Sequence, residues 1–161
     1  MSELPRITKV EALADKRLRL HWQDGRTAVV EMAGVIADFP PFAPLADPTV
    51  FAAVTVAGYG SGIAWACGLD FSADSLERLA EDQRDWSGDD IARWQDRLRI
   101  SNQEAADLLG VGLTTFKNYR IQPRVPPHVM ISCRAVELDR ALFQARFRPR
   151  QAGRPRKQGA A

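Results

Sequence analysis

The sequence predicts an α+β protein, a small antiparallel-sheet domain followed by an all-α domain. Three observations lead there. Period-2 alternation marks the first half, above all "ITKVEAL" and "RLRLHW", whereas beyond residue 85 apolar residues recur at helical spacing. Charge changes sign at the same place: residues 1–85 carry 8 Lys/Arg against 13 Asp/Glu, net −5, and residues 86–161 carry 14 against 7, net +7. With 161 residues, 45% of them apolar and 26% charged, the chain has the size and composition of one or two ordinary globular domains.

The elements follow in order. In "RLRLHW", Leu18, Leu20 and Trp22 share one face; "QDG" (Gln23 to Gly25) supplies turn chemistry, and "RTAVVEM" returns as the partner strand of a hairpin. "GVIADFPPFAPLADP" is proline-rich and reads as a loop or short helical turn pinned to the sheet. "VFAAVTVAGYG" is expected to be a further strand, with Val50, Ala52, Val54 and Val56 on one side; "GYGSG" turns, and "IAWAC" is its short partner. "SADSLERLAED" opens a helix capped by Ser72 or Asp74, with Leu76, Leu79 and Ala80 inward.

No catalytic constellation stands out in this half. His21 alternates with apolar neighbours and should face away from Leu20 and Trp22. Asp70, near Trp65, reads better as a turn cap than as a buried acid, and "GYGSG" lacks the lysine and strand-to-helix setting of a phosphate loop. Cys67 and Cys133 stand far apart, outside metal-ligand spacing, and each is expected to be a small buried hydrophobe in a reducing compartment. No apolar run reaches the roughly 20 residues of a membrane helix, and "MSELPRITKV" lacks a signal-peptide core. The expectation is a cytoplasmic, non-enzymatic protein without metal or cofactor. The early Pro-x-Ile strand start, "HWQDGR", "VFAAVTV" and "IAWACGLDFSADSL", with Trp65, Gly68, Asp70 and Leu76 at their spacing, resemble domain-of-unknown-function family 2442 over residues 5–82. Its small bacterial domains often lie near toxin–antitoxin-like partners or are fused to DNA-binding domains. No activity is established for the family, so the resemblance implies no catalytic residue.

The second module spans residues 86–145. Ser87 suits an N-cap, with Asp89 and Asp90 at the positive helix start, and Ile91, Trp94 and Leu98 at helical spacing. "SNQE" (Ser101 to Glu104) is a capping box, after which Ala105, Ala106, Leu108 and Leu109 form an inner face. Gly110 ends that helix, Val111 fills the corner, and in "LTTFKNYR" Phe116 and Tyr119 turn inward. The pattern Ala106, Gly110, Val111, Phe116 is similar to the helix-turn-helix of phage-repressor-like (Xre-type, lambda-repressor-like) regulators over residues 88–143. Two positions depart from that family: Gly112 stands where a capping serine is usual, and Arg120 where many members have glutamate. The resemblance implies that the helix carrying Asn102 and Gln103 abuts a DNA phosphate. Independently of it, Thr114, Thr115, Lys117 and Asn118 should point outward. They form a set of hydroxyl, ammonium and amide groups suited to major-groove edges and free of negative charge. Arg120 and Arg124 are further candidate contacts, the latter to phosphate.

Pro127 fits the first position of the next helix. "HVMISCRAVELDRALFQARF" is apolar on two stripes, Val129, Cys133 and Val136 on one and Ile131, Ala135, Leu138 and Leu142 on the other, which implies a second contact surface, for the first domain or for a second subunit. Residues 146–161, "RFRPRQAGRPRKQGAA", carry six basic residues and no acid and are expected to be disordered. "GRPRK", with Arg154, Arg156 and Lys157, resembles the core of an AT-hook, although Ala152 replaces the usual preceding arginine; a non-specific phosphate-binding arm is the alternative. The resulting expectation is a double-stranded DNA-binding regulator or antitoxin-like autoregulator, homodimeric, with the acidic domain taking a toxin-like protein partner. The competing expectations are an interaction module whose helical corner only packs, and RNA binding through the tail alone.

Overall fold

The computed structural model describes residues 4–151, and the chain divides into two compact units between Arg84 and Asp85. In the first unit β1 (Ile7–Leu13), β2 (Arg17–Trp22) and β3 (Thr27–Glu31) form an antiparallel sheet in that order. Asp15 and Lys16 turn the first hairpin with φ of 59° and 56°, the left-handed pair that matches strand twist. Leu20 lies opposite Val10, and Leu18 opposite Val30, so one face is apolar and buried. The other face is a charge cluster. Glu11 accepts from His21 Nε2 at 3.1 Å and pairs with Lys9 at 3.0 Å. These two contacts, Lys9 first, hold its carboxyl below the usual carboxylate range. His21 is thus half-buried against a neighbouring acid.

The segment expected as a long strand divides in two. Asp47 accepts from the Thr49 and Val50 backbone N–H groups at 2.7 and 3.3 Å, and Pro48 occupies the first helical turn. That start outweighs the β-propensity of the valines, so Pro48–Ala52 is helical and the strand shrinks to Thr55–Ala57. The helices are accordingly α1 (Ala33–Asp38), α2 (Pro48–Ala52) and α3 (Ala73–Gln83), with a 3-10 stretch over Pro40–Ala46. The second sheet pairs β4 (Thr55–Ala57), β5 (Gly62–Ala64) and β6 (Asp70–Ser72). Asp70 lies exposed on β6, neither a buried acid nor a turn cap, and Cys67, expected inside, is exposed in the β5–β6 connection, where the chain must turn. Ser72 caps α3 through Ser75 N–H at 3.2 Å. At the far end of α3 the Gln83 amide bonds both the N–H and the C=O of Glu31, each at 2.8 Å, fastening the helix to the free edge of β3.

The second unit holds α4 (Gly88–Leu98), α5 (Asn102–Leu109), α6 (Leu113–Tyr119), α7 (Pro127–Leu138) and α8 (Arg140–Arg146). Trp86, Ile91, Trp94, Ala106, Phe116, Val129, Cys133 and Phe143 belong to its core. Trp94 Nε1 donates to the Cys133 carbonyl at 3.0 Å, and burial pushes the Cys133 thiol up to about 12. Asp139 ends α7 and accepts from the Ala141 and Leu142 N–H groups at 3.0 Å each, which starts α8 afresh and divides the long apolar run.

Gly88 fixes the entry to this unit. Its N–H donates to Gln122 O at 2.8 Å, and Val125 N–H donates to Trp86 O at 2.6 Å, so the chain before α4 lies directly on the chain after α6. A Cβ at position 88 would run into the Arg120 carbonyl, a backbone group that cannot swing aside. Gly88→Ala is therefore expected to destabilise the unit by about 1–3 kcal/mol, read as a lower urea midpoint at unchanged slope.

Candidate nucleic-acid interface

The α5–α6 corner is built from local rules. Ser101 Oγ accepts from Glu104 N–H at 3.2 Å, and the Glu104 carboxylate accepts from Ser101 N–H at 2.7 Å, closing the capping box. At the other end Gly110 adopts φ 71°. Val111 N–H reaches back to Ala106 O at 3.0 Å and Gly110 N–H to Asp107 O at 3.2 Å, the paired reverse bonds of a left-handed glycine terminus. Buried Ala105 and Ala106 keep this corner tight. Gly112 then begins α6 with no side-chain cap. Ordinary space surrounds its missing Cβ, and its φ of −70° suits any residue. Gly112→Ser is expected to stabilise by about 0.5–1 kcal/mol, from a cap bond and a less flexible unfolded chain, raising the thermal midpoint.

On α6, Phe116 is buried and Tyr119 half-buried, while Thr114, Thr115, Lys117 and Asn118 are exposed. None of those four side chains has a hydrogen-bond or ion-pair partner among the described residues. They make a row of free donors on a rigid helix, with no acid on α6 itself.

The residues expected at the phosphate end are engaged differently. Asn102 Oδ1 accepts from Gln95 Nε2 and from Arg120 Nη1, both at 3.0 Å. Gln95 is buried and also donates to Ile100 O at 2.9 Å. Arg120 is thus drawn back to orient Asn102, leaving the Asn102 amide hydrogens for an outside acceptor. Gln95 completes this triad, and sequence reasoning missed it; a lone glutamine beside Trp94 on an apolar stripe was the available signal. Gln103 Nε2 bonds Asp107 at 3.0 Å. Arg124 pairs with Asp85 at 3.1 Å on open surface, a pair that costs little to exchange for a phosphate.

The chain beyond α8 returns to α5. Phe147 stacks on Phe143, ring centroids 4.9 Å apart. Arg150 N–H donates to Glu104 at 2.9 Å, and its guanidinium grips Asp107 at 2.7 and 2.8 Å. The Arg150 hydrogen bond, then that from Gln103, holds the Asp107 carboxyl below its ordinary range. Arg154, Arg156 and Lys157 lie outside the described residues.

No group of His, Cys, Asp and Glu suited to a metal ion occurs among the described residues, and no described helix is long and apolar enough to cross a membrane. Residues 7–82 match the family described as a protein of unknown function, DUF2442. A crystal structure of a candidate DNA-binding protein from Nitrosomonas europaea is similar at 29% identity, covering 94% of this chain and 98% of that one, with a TM-score of 0.49. No curated protein matches the chain.

Proposed function

We propose that the chain is a double-stranded DNA-binding protein that works by binding rather than catalysis, its α5–α6 corner serving as a helix-turn-helix of the lambda-repressor-like kind. The observation that carries this reading is the row Thr114, Thr115, Lys117 and Asn118, exposed on α6 and without side-chain partners among the described residues. Such a helix can lie in a major groove, asparagine pairing with adenine, threonine methyls touching thymine, and lysine reaching guanine or phosphate. Support comes from the Asn102 amide, oriented by Gln95 and Arg120 at the start of α5, and from the net +7 of residues 86–161. The role is transcriptional control or antitoxin-like autoregulation, with the acidic first unit taking a basic protein partner. Selection of bound sites from random duplex DNA tests the reading: an enriched motif is expected, and uniform recovery of all sequences would count against base reading by α6.

A second observation bears on assembly. Ile131 and Leu138 on α7, 61% and 63% exposed, share one stripe with exposed Ala135, and Leu142 is exposed on α8 beyond the break at Asp139. In this reading the stripe joins two copies, so that paired recognition helices meet paired half-sites. Light scattering at micromolar concentration should give twice the 17.9 kDa chain mass; a monomer with and without DNA would remove the dimer from the proposal.

A further inference from the structure

We infer that Arg146 and Arg148 form a second phosphodiester-binding strip beside the α5–α6 corner, held in place by Phe147 and Arg150; this rests on the DNA-binding reading above. The four residues alternate along the chain leaving α8, and their roles alternate too. Phe147, half-buried, is stacked on Phe143 with rings 16° from parallel. Arg150 is tied to α5 by its backbone N–H on Glu104 and its guanidinium on Asp107. Arg146, the last residue of α8, and Arg148, between the two anchors, are exposed, and neither has a hydrogen-bond or ion-pair partner among the described residues; Arg148 acts on Asp107 only through space, its charge helping to hold that carboxyl down.

The setting supplies both shape and charge. Arg146, Arg148 and Arg150 line a cleft of about 620 Å³ whose opposite side is Asp107, Gly110 and Val111, the corner that leads into α6. Left alone, Asp107 and Glu104 would repel a phosphate there. Arg150 pairs its guanidinium with Asp107 and gives Glu104 its backbone N–H, so both carboxylates are engaged, and the three arginines of the segment against these two acids leave a net positive charge for an outside anion. Guanidinium presents a planar fork of donors that matches phosphate oxygens. Two guanidinium forks, one at the end of α8 and one on the stretch between Phe147 and Arg150, suit two phosphates of one backbone, and ordering them in advance lowers the entropy lost on binding. The ligand class is the sugar–phosphate backbone, so the strip adds affinity without reading sequence.

The test uses the full chain and a mixed pool of short DNA duplexes, titrated by fluorescence anisotropy at several salt concentrations. Arg146→Gln with Arg148→Gln is expected to weaken binding roughly 10- to 50-fold near 0.1 M salt, equally across sequences, and to flatten the slope of log affinity against log salt by about 2. Phe147→Ala is expected to weaken binding while leaving that slope nearly unchanged, since both charges remain; circular dichroism confirms that each variant is folded. Wild-type affinity and slope in the double variant, alongside collapse of binding in Lys117→Glu, would overturn the strip and leave the α6 reading standing. Unchanged binding in the double variant and in Lys117→Glu alike would overturn both. Unchanged affinity in folded Phe147→Ala would overturn the role given to the anchors.

Discussion

Lys117→Glu is expected to weaken duplex DNA binding by roughly 1,000-fold or more without unfolding the protein. Lys117 is exposed on α6 and has no partner among the described residues, so the folded state loses no contact when it is replaced. The bound state loses a cation at a groove edge or phosphate, worth about 1–3 kcal/mol, and gains an anion facing a polyanion, a juxtaposition that costs several kcal/mol. The charge changes by two, so the slope of log affinity against log salt should flatten by about 2. The reversal Arg140→Glu, at the exposed start of α8 where an acid suits the helix dipole, gives up a cation–π contact with Phe143 but separates a local effect on α6 from a change in overall charge. It should cost less than about tenfold. Equal losses from the two reversals would mean that α6 acts only through the field of the unit, and no loss from Lys117→Glu would remove α6 from the interface. Thermal unfolding of the variant should stay within about 0.5 kcal/mol of the parent, the usual range for a surface change.

What the sequence made legible is what short-range rules govern. Alternation in "RLRLHW" is enough to place Leu18, Leu20 and Trp22 on a buried face. Ser72, the Ser101–Glu104 box and Gly110 act within a few residues of themselves, and each occupies the helix end that its chemistry suits. Failure came where a local signal was ambiguous or absent. Val50, Val54 and Val56 fit a strand pattern, but an Asp47–Pro48 start hidden in a proline-rich run makes the first part helical. β6 is three residues long, too short to show any period. Cys67 sits in a turn, where the usual burial of cysteine does not apply. In the second unit the outward set on α6 follows from helical spacing alone, because Phe116 and Tyr119 settle which face is inside. The Gln95–Asn102–Arg120 triad and the Arg150–Asp107 pair join residues brought together by tertiary packing, the latter 43 positions apart, and beyond the lone glutamine beside Trp94 no local pattern announces either.

That triad makes Asn102→Asp informative, because stability and DNA affinity should move in opposite directions. Asn102 Oδ1 accepts from Gln95 and Arg120 at 3.0 Å each, and a carboxylate oxygen can accept from both. The bond from Arg120 becomes an ion pair, and the new charge lies in the first turn of α5, where the helix dipole favours it. The folded protein should gain about 0.5–1 kcal/mol at neutral pH. The pH dependence has a definite sign. Arg120 lowers the folded pKa of the introduced acid below its unfolded value of about 3.9, so the gain is present above that value and fades as pH falls through the folded pKa. Binding should suffer instead. The variant has lost the Asn102 amide hydrogens, which have no acceptor among the described residues, and it sets a negative charge where the proposed phosphate lies. A loss of roughly 10- to 100-fold is expected, equal for all sequences because a phosphate contact carries no base information. Urea unfolding at pH 7 and pH 3, with anisotropy titrations at pH 7, measures both quantities. A variant that gains stability and binds DNA as well as the parent would show that the start of α5 does not face the backbone. The base-reading row on α6 would then have to be docked from another side.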